Sequence, residues 1–110
     1  GSVPLKELRA NTLEKLDLSD EGLGLPEALV LAKLVEGSAV LTTLVLEDND
    51  IGPEGAAAIA ETLRGNAVLT TLNLANNQIR DQGAAAIAEA LRGNGVLTVL
   101  DVGWNNIGPE

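Results

Sequence analysis

The sequence predicts an α/β solenoid, a stack of thin strand-plus-helix units in place of a closed globule, and three observations predict it. The 28 residues Leu41 to Val68 and the 28 residues Leu69 to Val96 align without gaps and agree at 19 of 28 positions. Repetition at a fixed period of this length means stacked units. Within each copy the apolar period changes from two in the first half to that of a helix in the second, which reads as a strand followed by a helix. Hydrophobic residues make up 45% of the 110 residues, yet Trp104 is the only aromatic. Leu, Ile, Val and Ala suffice when every repeat fills the same shallow layer.

In order along the chain, Gly1-Ser2 reads as the scar of a removed expression tag. Residues 1–12 form a short helix opened by Pro4, with Leu5 and Leu8 one turn apart, and cover the first strand. Leu8-Arg9-Ala10-Asn11 echoes Leu63-Arg64-Gly65-Asn66 and Leu91-Arg92-Gly93-Asn94, so this segment reads as the tail of a preceding repeat. The repeats then run 13–40, 41–68 and 69–96, with a half repeat at 97–110. The first is the most degenerate: Glu21 stands where Asn49, Asn77 and Asn105 stand later, and Glu27 replaces Gly55 and Gly83. Departure from consensus in a terminal repeat is what capping looks like.

The first half of each copy reads L-x-x-L-x-L, and alternation points Leu44 and Leu46, or Leu72 and Leu74, inward from a short strand. A turn with Asn49 or Asn77 follows, then an apolar anchor, Ile51 or Ile79. Pro53 and Glu54 start a helix, because proline lacks an amide that would be unpaired there and the carboxylate suits the positive end of the dipole. Asp81 and Gln82 take those places in the next copy. Ala56, Ile59, Ala60 and Leu63 share one helical stripe, as do Ala84, Ile87, Ala88 and Leu91. Gly37, Gly65 and Gly93 are expected to end the helices in the left-handed conformation. The half repeat leaves an open strand edge and the faces of Leu91, Leu97 and Leu100 uncovered, so the expectation is a longer natural array, with self-association through that end while it is bare.

Charge and composition exclude several tasks. Sixteen acidic residues against seven basic ones give a formal charge of −9. That disfavours nucleic acid and anionic membranes, both of which need a Lys or Arg surface, and favours a basic protein surface. There is no Cys, His or Met. Disulfides, thiolate metal sites and imidazole bases are therefore excluded, and no cofactor is expected. No apolar run is long enough to span a bilayer.

The pattern L-x-x-L-x-L-x-x-N-x-I followed by G-x-x-x-I-A-E-x-L-R-x-N resembles the leucine-rich repeats of the ribonuclease-inhibitor-like class, shared by NOD-like receptors and the Ran GTPase-activating protein. It covers Leu13 to Glu110. The resemblance implies a right-handed solenoid with a parallel sheet on the concave side, helices on the convex side and a cytoplasmic setting. Its tasks are diverse, so fold does not decide function. No residue here carries over to a ribonuclease or GTPase contact set.

Candidate binding residues are those that vary between copies and point outward from the strands. Counting within each repeat, the fifth position holds Asp17, Val45, Asn73 and Asp101; the seventh holds Ser19, Glu47, Ala75 and Gly103; the eighth holds Asp20, Asp48, Asn76 and Trp104. Stacked about 4.8 Å apart, they form an acidic, partly polar concave patch. Trp104 is the sharpest of them, as an interface anchor or as space-filling for a following repeat. Asn49, Asn77 and Asn105 read as structural, satisfying backbone groups at the turn. The carboxylates lack a pocket or wrapping loop, so catalysis and a metal site are not expected. The expected function is non-catalytic recognition of another protein on the concave face, as part of a longer chain. The alternatives are an autoinhibitory scaffold of the NOD-like receptor kind and, less favoured, GTPase activation.

Overall fold

A strand of three residues is enough when each unit contributes one rung to a continuous sheet. The structure, a computed structural model, describes residues 14–107. Its strands are β1 (Lys15–Asp17), β2 (Thr43–Val45), β3 (Thr71–Asn73) and β4 (Val99–Asp101). They pair in parallel in the order β1-β2-β3-β4. Register is set by the 28-residue period: Leu16 faces Leu44, Leu44 faces Leu72, and Leu72 faces Leu100. Parallel neighbours require a crossover, and a helix supplies each one. These are α1 (Leu25–Glu36), α2 (Gly52–Gly65) and α3 (Arg80–Leu91).

The layer between sheet and helices is the core. Leu44, Leu46, Ile51, Leu72, Leu74 and Ile79 are each at most 1% exposed, and burying one such side chain contributes about 1.5–3 kcal/mol. α2 buries Ala56, Ile59, Ala60 and Leu63 on one stripe, and α1 buries Ala28, Leu31, Ala32 and Val35. Pro53 lies in the first turn of α2 with Glu54 beside it, as its missing amide and the helix dipole favour. At the start of α1 the Gly24 amide donates to the Glu27 carboxylate at 2.9 Å, which holds that carboxyl below its ordinary pKa. Packed helices sit about 8–10 Å apart and strands about 4.8 Å, so the stack must curve with the sheet inside. The result is an α/β solenoid.

Neighbouring helices touch through their smallest residues. A Cβ on Gly55 would lie 3.1 Å from the Cβ of Ala28, and one on Gly83 would lie 3.1 Å from the Cβ of Ala56 and 3.3 Å from the Cα of Pro53. Each would also collide with its own repeat's isoleucine, Ile51 or Ile79. Glycine at these positions is set by close approach.

Two expectations are corrected. Gly37 ends α1 with φ −89° and ψ 0°, in the right-handed region, and neither Gly65 nor Gly93 has a positive φ. An asparagine or serine just beyond the helix does the ending instead. Asn66 Oδ1 accepts from the amides of Val68 and Leu69, both at 2.7 Å, and its amide donates to Val35 O of the previous helix at 3.4 Å. Asn94 repeats this with Val96, Leu97 and Leu63 O, while Ser38 Oγ accepts from Val40 and Leu41. Second, the stripe of α3 is only partly buried: Ile87 is inside, Ala84 and Leu91 are half-buried, and Ala88 is exposed. The equivalent Ala60 is covered by α3, whereas no described helix follows α3. The expected exposure at Leu91, Leu97 and Leu100 is seen: all three are half-buried where their equivalents Leu63, Leu69 and Leu72 are buried, and Val99 and Ile107 are exposed. The expected helix over residues 1–12 lies outside the described residues.

Candidate functional site

The strand face carries the candidate residues in aligned rows. Asp17, Val45, Asn73 and Asp101 are direct register partners across the sheet. Beyond the strands the turns stay stacked by backbone bonds, Asp20 N to Glu47 O at 2.9 Å, Asp48 N to Ala75 O at 3.0 Å and Asn76 N to Gly103 O at 2.8 Å. Asp17, Asp20, Asp48, Asn76, Asp101 and Trp104 are exposed; Val45, Glu47 and Asn73 are half-buried. Ala75, expected to project outward, is buried.

Many of these polar groups are bonded to one another. Asp17 Oδ1 accepts from the Ser19 amide at 3.0 Å and hydroxyl at 2.6 Å. These bonds hold its carboxyl below the ordinary value, the hydroxyl having the larger effect and the Lys15 charge a minor one. Asn73 Oδ1 and Asp101 Oδ1 accept from the amides of Ala75 and Gly103 in the same way. Two bonds cross between repeats, Asn73 Nδ2 to Glu47 Oε1 at 3.3 Å and Asn76 Nδ2 to Asp48 Oδ1 at 2.6 Å. The face is thus partly ordered before any partner arrives, which lowers the entropy cost of binding.

Asn49, Asn77 and Asn105 lie behind this face. Asn77 is fully buried, and its amide donates to the carbonyls of Leu46, Leu74 and Ala75 while Oδ1 accepts from Ile51 N. Asn105 does the same for Leu74, Val102, Gly103, Asn77 and Ile79. Asn49 serves Leu18, Leu46 and Glu47 and accepts from Glu21 and Leu23. Each side chain therefore reaches into the repeat before its own. Among the described residues no buried side-chain polar atom lacks a partner, and no cluster of three or more His, Cys, Asp or Glu could hold a metal ion. No described helix is long and apolar enough to cross a membrane.

Asn66, Asn94 and the threonines Thr42, Thr70 and Thr98 were not singled out from the sequence. Thr42 Oγ1 donates to Glu14 O, Thr70 to Thr42 O and Thr98 to Thr70 O, at 3.1 to 3.2 Å. Their signal was present, since each recurs at the 28-residue period in a polar residue beside an apolar run.

Trp104 differs from everything around it. It is 89% exposed, so it packs on nothing, and its φ is +58°. Asp20, Asp48 and Asn76 hold the same slot at φ 55°, 61° and 56°. Short polar side chains tolerate that left-handed region, whereas for other L-residues it costs about 1–2 kcal/mol. A following repeat would not bury Trp104 either, because Asp48 and Asn76 stay exposed with a neighbour on each side. The space-filling reading therefore has no support in the neighbouring repeats. Trp104→Asn is accordingly expected to leave thermal stability unchanged or to raise it by about 0.5–1 kcal/mol. A clear fall in melting temperature would assign Trp104 a packing role.

Comparison with known proteins agrees with this geometry. A search of curated proteins finds no match. Among solved structures, "Leiomodin-1 Actin-Binding Site 2 (ABS2)" is similar, with a TM-score of 0.84 and 26% sequence identity. The match covers 91% of this chain and 61% of that one, so this chain spans less than two thirds of the neighbour's length. The family pattern described as Leucine Rich repeat matches residues 37–60, 65–88 and 93–110. These spans begin 28 residues apart, the same step that separates register partners in the sheet, and they take in more than half of the 110 residues. The chain belongs to the leucine-rich repeat family.

Proposed function

We propose that this chain is a non-catalytic protein-binding module whose strand face recognises a partner protein with a basic contact surface. The observation that carries this is the division of labour between positions. Residues shared by the repeats make most of the core, while three of the nine positions that differ, Val45 against Asn73, Glu47 against Ala75 and Asp48 against Asn76, lie in the strand and the turn after it, in line with Asp101 and Trp104; the other six fall in the turn, along the helix and at the junction. Positions on an ordered strand face that are free to vary between copies are what recognition requires and stacking does not. A formal charge of −9 favours a cationic partner surface and would speed its encounter. The Leiomodin-1 structure is described as an actin-binding site, which makes actin the first partner to test. A cytoplasmic setting and the ribonuclease-inhibitor-like subclass, suggested by the repeat pattern and the absence of cysteine, belong to the same reading.

The test is co-sedimentation with filamentous actin and fluorescence titration of monomeric actin. The wild-type chain is expected to bind, and the combined change Glu47→Lys, Asp48→Lys and Trp104→Ala is expected to weaken binding at least tenfold with an unaltered circular dichroism spectrum. Equal binding by the variant would overturn the strand face as the contact surface. No binding by the wild type would overturn actin as partner.

A further inference from the structure

We infer that Trp104 and Asp101 form a receptor for a guanidinium group, the side chain of an arginine presented by the partner protein. The inference rests on the strand face being the binding surface and specifies one contact on it. Neither burial nor backbone preference accounts for Trp104, which is 89% exposed in a left-handed turn where the other repeats use Asp or Asn. The left-handed backbone is shared by Gln78 and Arg80 at φ 57° and 62°, so what sets Trp104 apart is a large aromatic surface left in water. An aromatic face in water attracts cations, and arginine in particular stacks on it through its planar group.

Asp101 supplies the charge. It ends β4, three residues before Trp104, and its Oδ1 is held toward the turn by the Gly103 amide at 3.0 Å. Its Oδ2 accepts no hydrogen bond from a described residue. Other carboxylates on the face already accept from side chains: Asp17 from Ser19, Glu47 from Asn73 and Asp48 from Asn76. Among the described residues Asp101, like Asp20, accepts from no side chain, and of these two only Asp101 lies beside Trp104 in the chain. Gly103, between them in the chain, carries no side chain. A Cβ there would lie 3.3 Å from Asp101 Oδ1, where the other repeats carry Ser19, Glu47 and Ala75. An arginine laid across Gly103 could stack on the indole and present N–H donors to the carboxylate, the geometry that a planar fork satisfies and a point-charge ammonium does not.

The probe is the capped tripeptide Gly-Arg-Gly, compared with its lysine and citrulline counterparts at about 0.1 M salt, where exposed charges are partly screened. Trp104 is the only Trp and the chain has no Tyr, so fluorescence reports this site alone; the amide NMR shift of Gly103 is the second readout. The arginine peptide should give saturable changes in both, with a Kd of about tens of millimolar, as one exposed stacked ion pair allows. Lysine should bind at least threefold more weakly, and citrulline, planar but uncharged, should not saturate. Asp101→Asn should weaken the arginine peptide at least threefold while keeping the turn, since Asn73 makes the same bond to the Ala75 amide at 2.9 Å. Equal responses to arginine and citrulline, or an indifferent Asp101→Asn, would overturn the inference. Loss of the arginine response with actin binding intact overturns this receptor alone. An intact arginine response, with actin binding unaffected by the strand-face substitutions, keeps the receptor and overturns the wider reading of the face.

Discussion

Asn77→Ala is expected to destabilise the fold by about 2–3 kcal/mol, a large effect for a single polar substitution. The side chain is fully buried, and its loss leaves the Ile51 amide without a partner and strips one of two donors from each of the carbonyls of Leu46, Leu74 and Ala75, which keep Asn49, Asn105 and the Asp48 amide. Each buried unpaired group costs about 1–3 kcal/mol, less whatever water entering the vacated space can restore. Asn77→Asp should be no better. A carboxylate can accept from Ile51 but has no N–H to offer the three carbonyls. Asn49→Ala should cost less, since that turn is half-buried and open to water. Urea denaturation followed by circular dichroism reads these differences. A loss below about 1 kcal/mol for Asn77→Ala would mean that water replaces the amide. Asn77 also joins two repeats, and stability in a stack is a sum of unit and interface contributions. The transition should therefore broaden as well as shift, because the units before and after the lesion are less firmly coupled.

The part of this structure legible in the sequence is the part dictated by period. The columns through Leu16, Leu44, Leu72 and Leu100 follow from alternation and the 28-residue step alone, as does the order of the sheet. The helix ends were misread because glycine near a helix terminus has two explanations. It can adopt a positive φ, or it can simply sit in a last turn whose carbonyls are satisfied from elsewhere. Here Asn66 and Asn94 are the outside donors, and choosing between the two needed coordinates. Burial along α3 could not be read from its pattern either, since Ala60 and Ala88 lie in nearly the same sequence, Gly-Ala-Ala-Ala-Ile-Ala-Glu, and differ in what stacks on them.

The candidate site shows the same boundary. Which rows face outward was readable from the strand alternation. That Asn73 and Asn76 reach across to Glu47 and Asp48 was not, because it depends on rotamers and on neighbours 26 and 28 residues away. The anomaly at Trp104 was readable in principle. Asp20, Asp48 and Asn76 are the residue types that tolerate a left-handed backbone, so an aromatic in their column already marked a conflict between local preference and fold.

Gly83→Val should destabilise by about 3 kcal/mol, or prevent α3 from docking altogether, through overpacking. Substituting glycine inside a helix ordinarily stabilises it, by up to about 1 kcal/mol for alanine. Here that gain is overridden. The new Cβ alone would stand 3.1 Å from Ala56 and 3.3 Å from the Cα of Pro53, besides colliding with Ile79. Rotation of Ile79 could relieve the last contact, but Pro53 is backbone and can yield only if α2 and α3 separate. Gly65→Ala is the matched control, since Gly65 lies in the last turn of α2 with nothing within 4 Å of its Cβ position and no positive φ. It should be neutral or stabilising by up to about 1 kcal/mol. Opposite signs in the two melting curves would separate packing from propensity; equal shifts would contradict the close helix contact. The consequence reaches the strand face. Helix spacing on one side and strand spacing on the other together set the curvature. A residue that pries α2 from α3 must bend the sheet more sharply and bring the side-chain rows of β2, β3 and β4 closer together. A milder variant that still folds, Gly83→Ala, should therefore weaken partner binding although it alters no residue of the face.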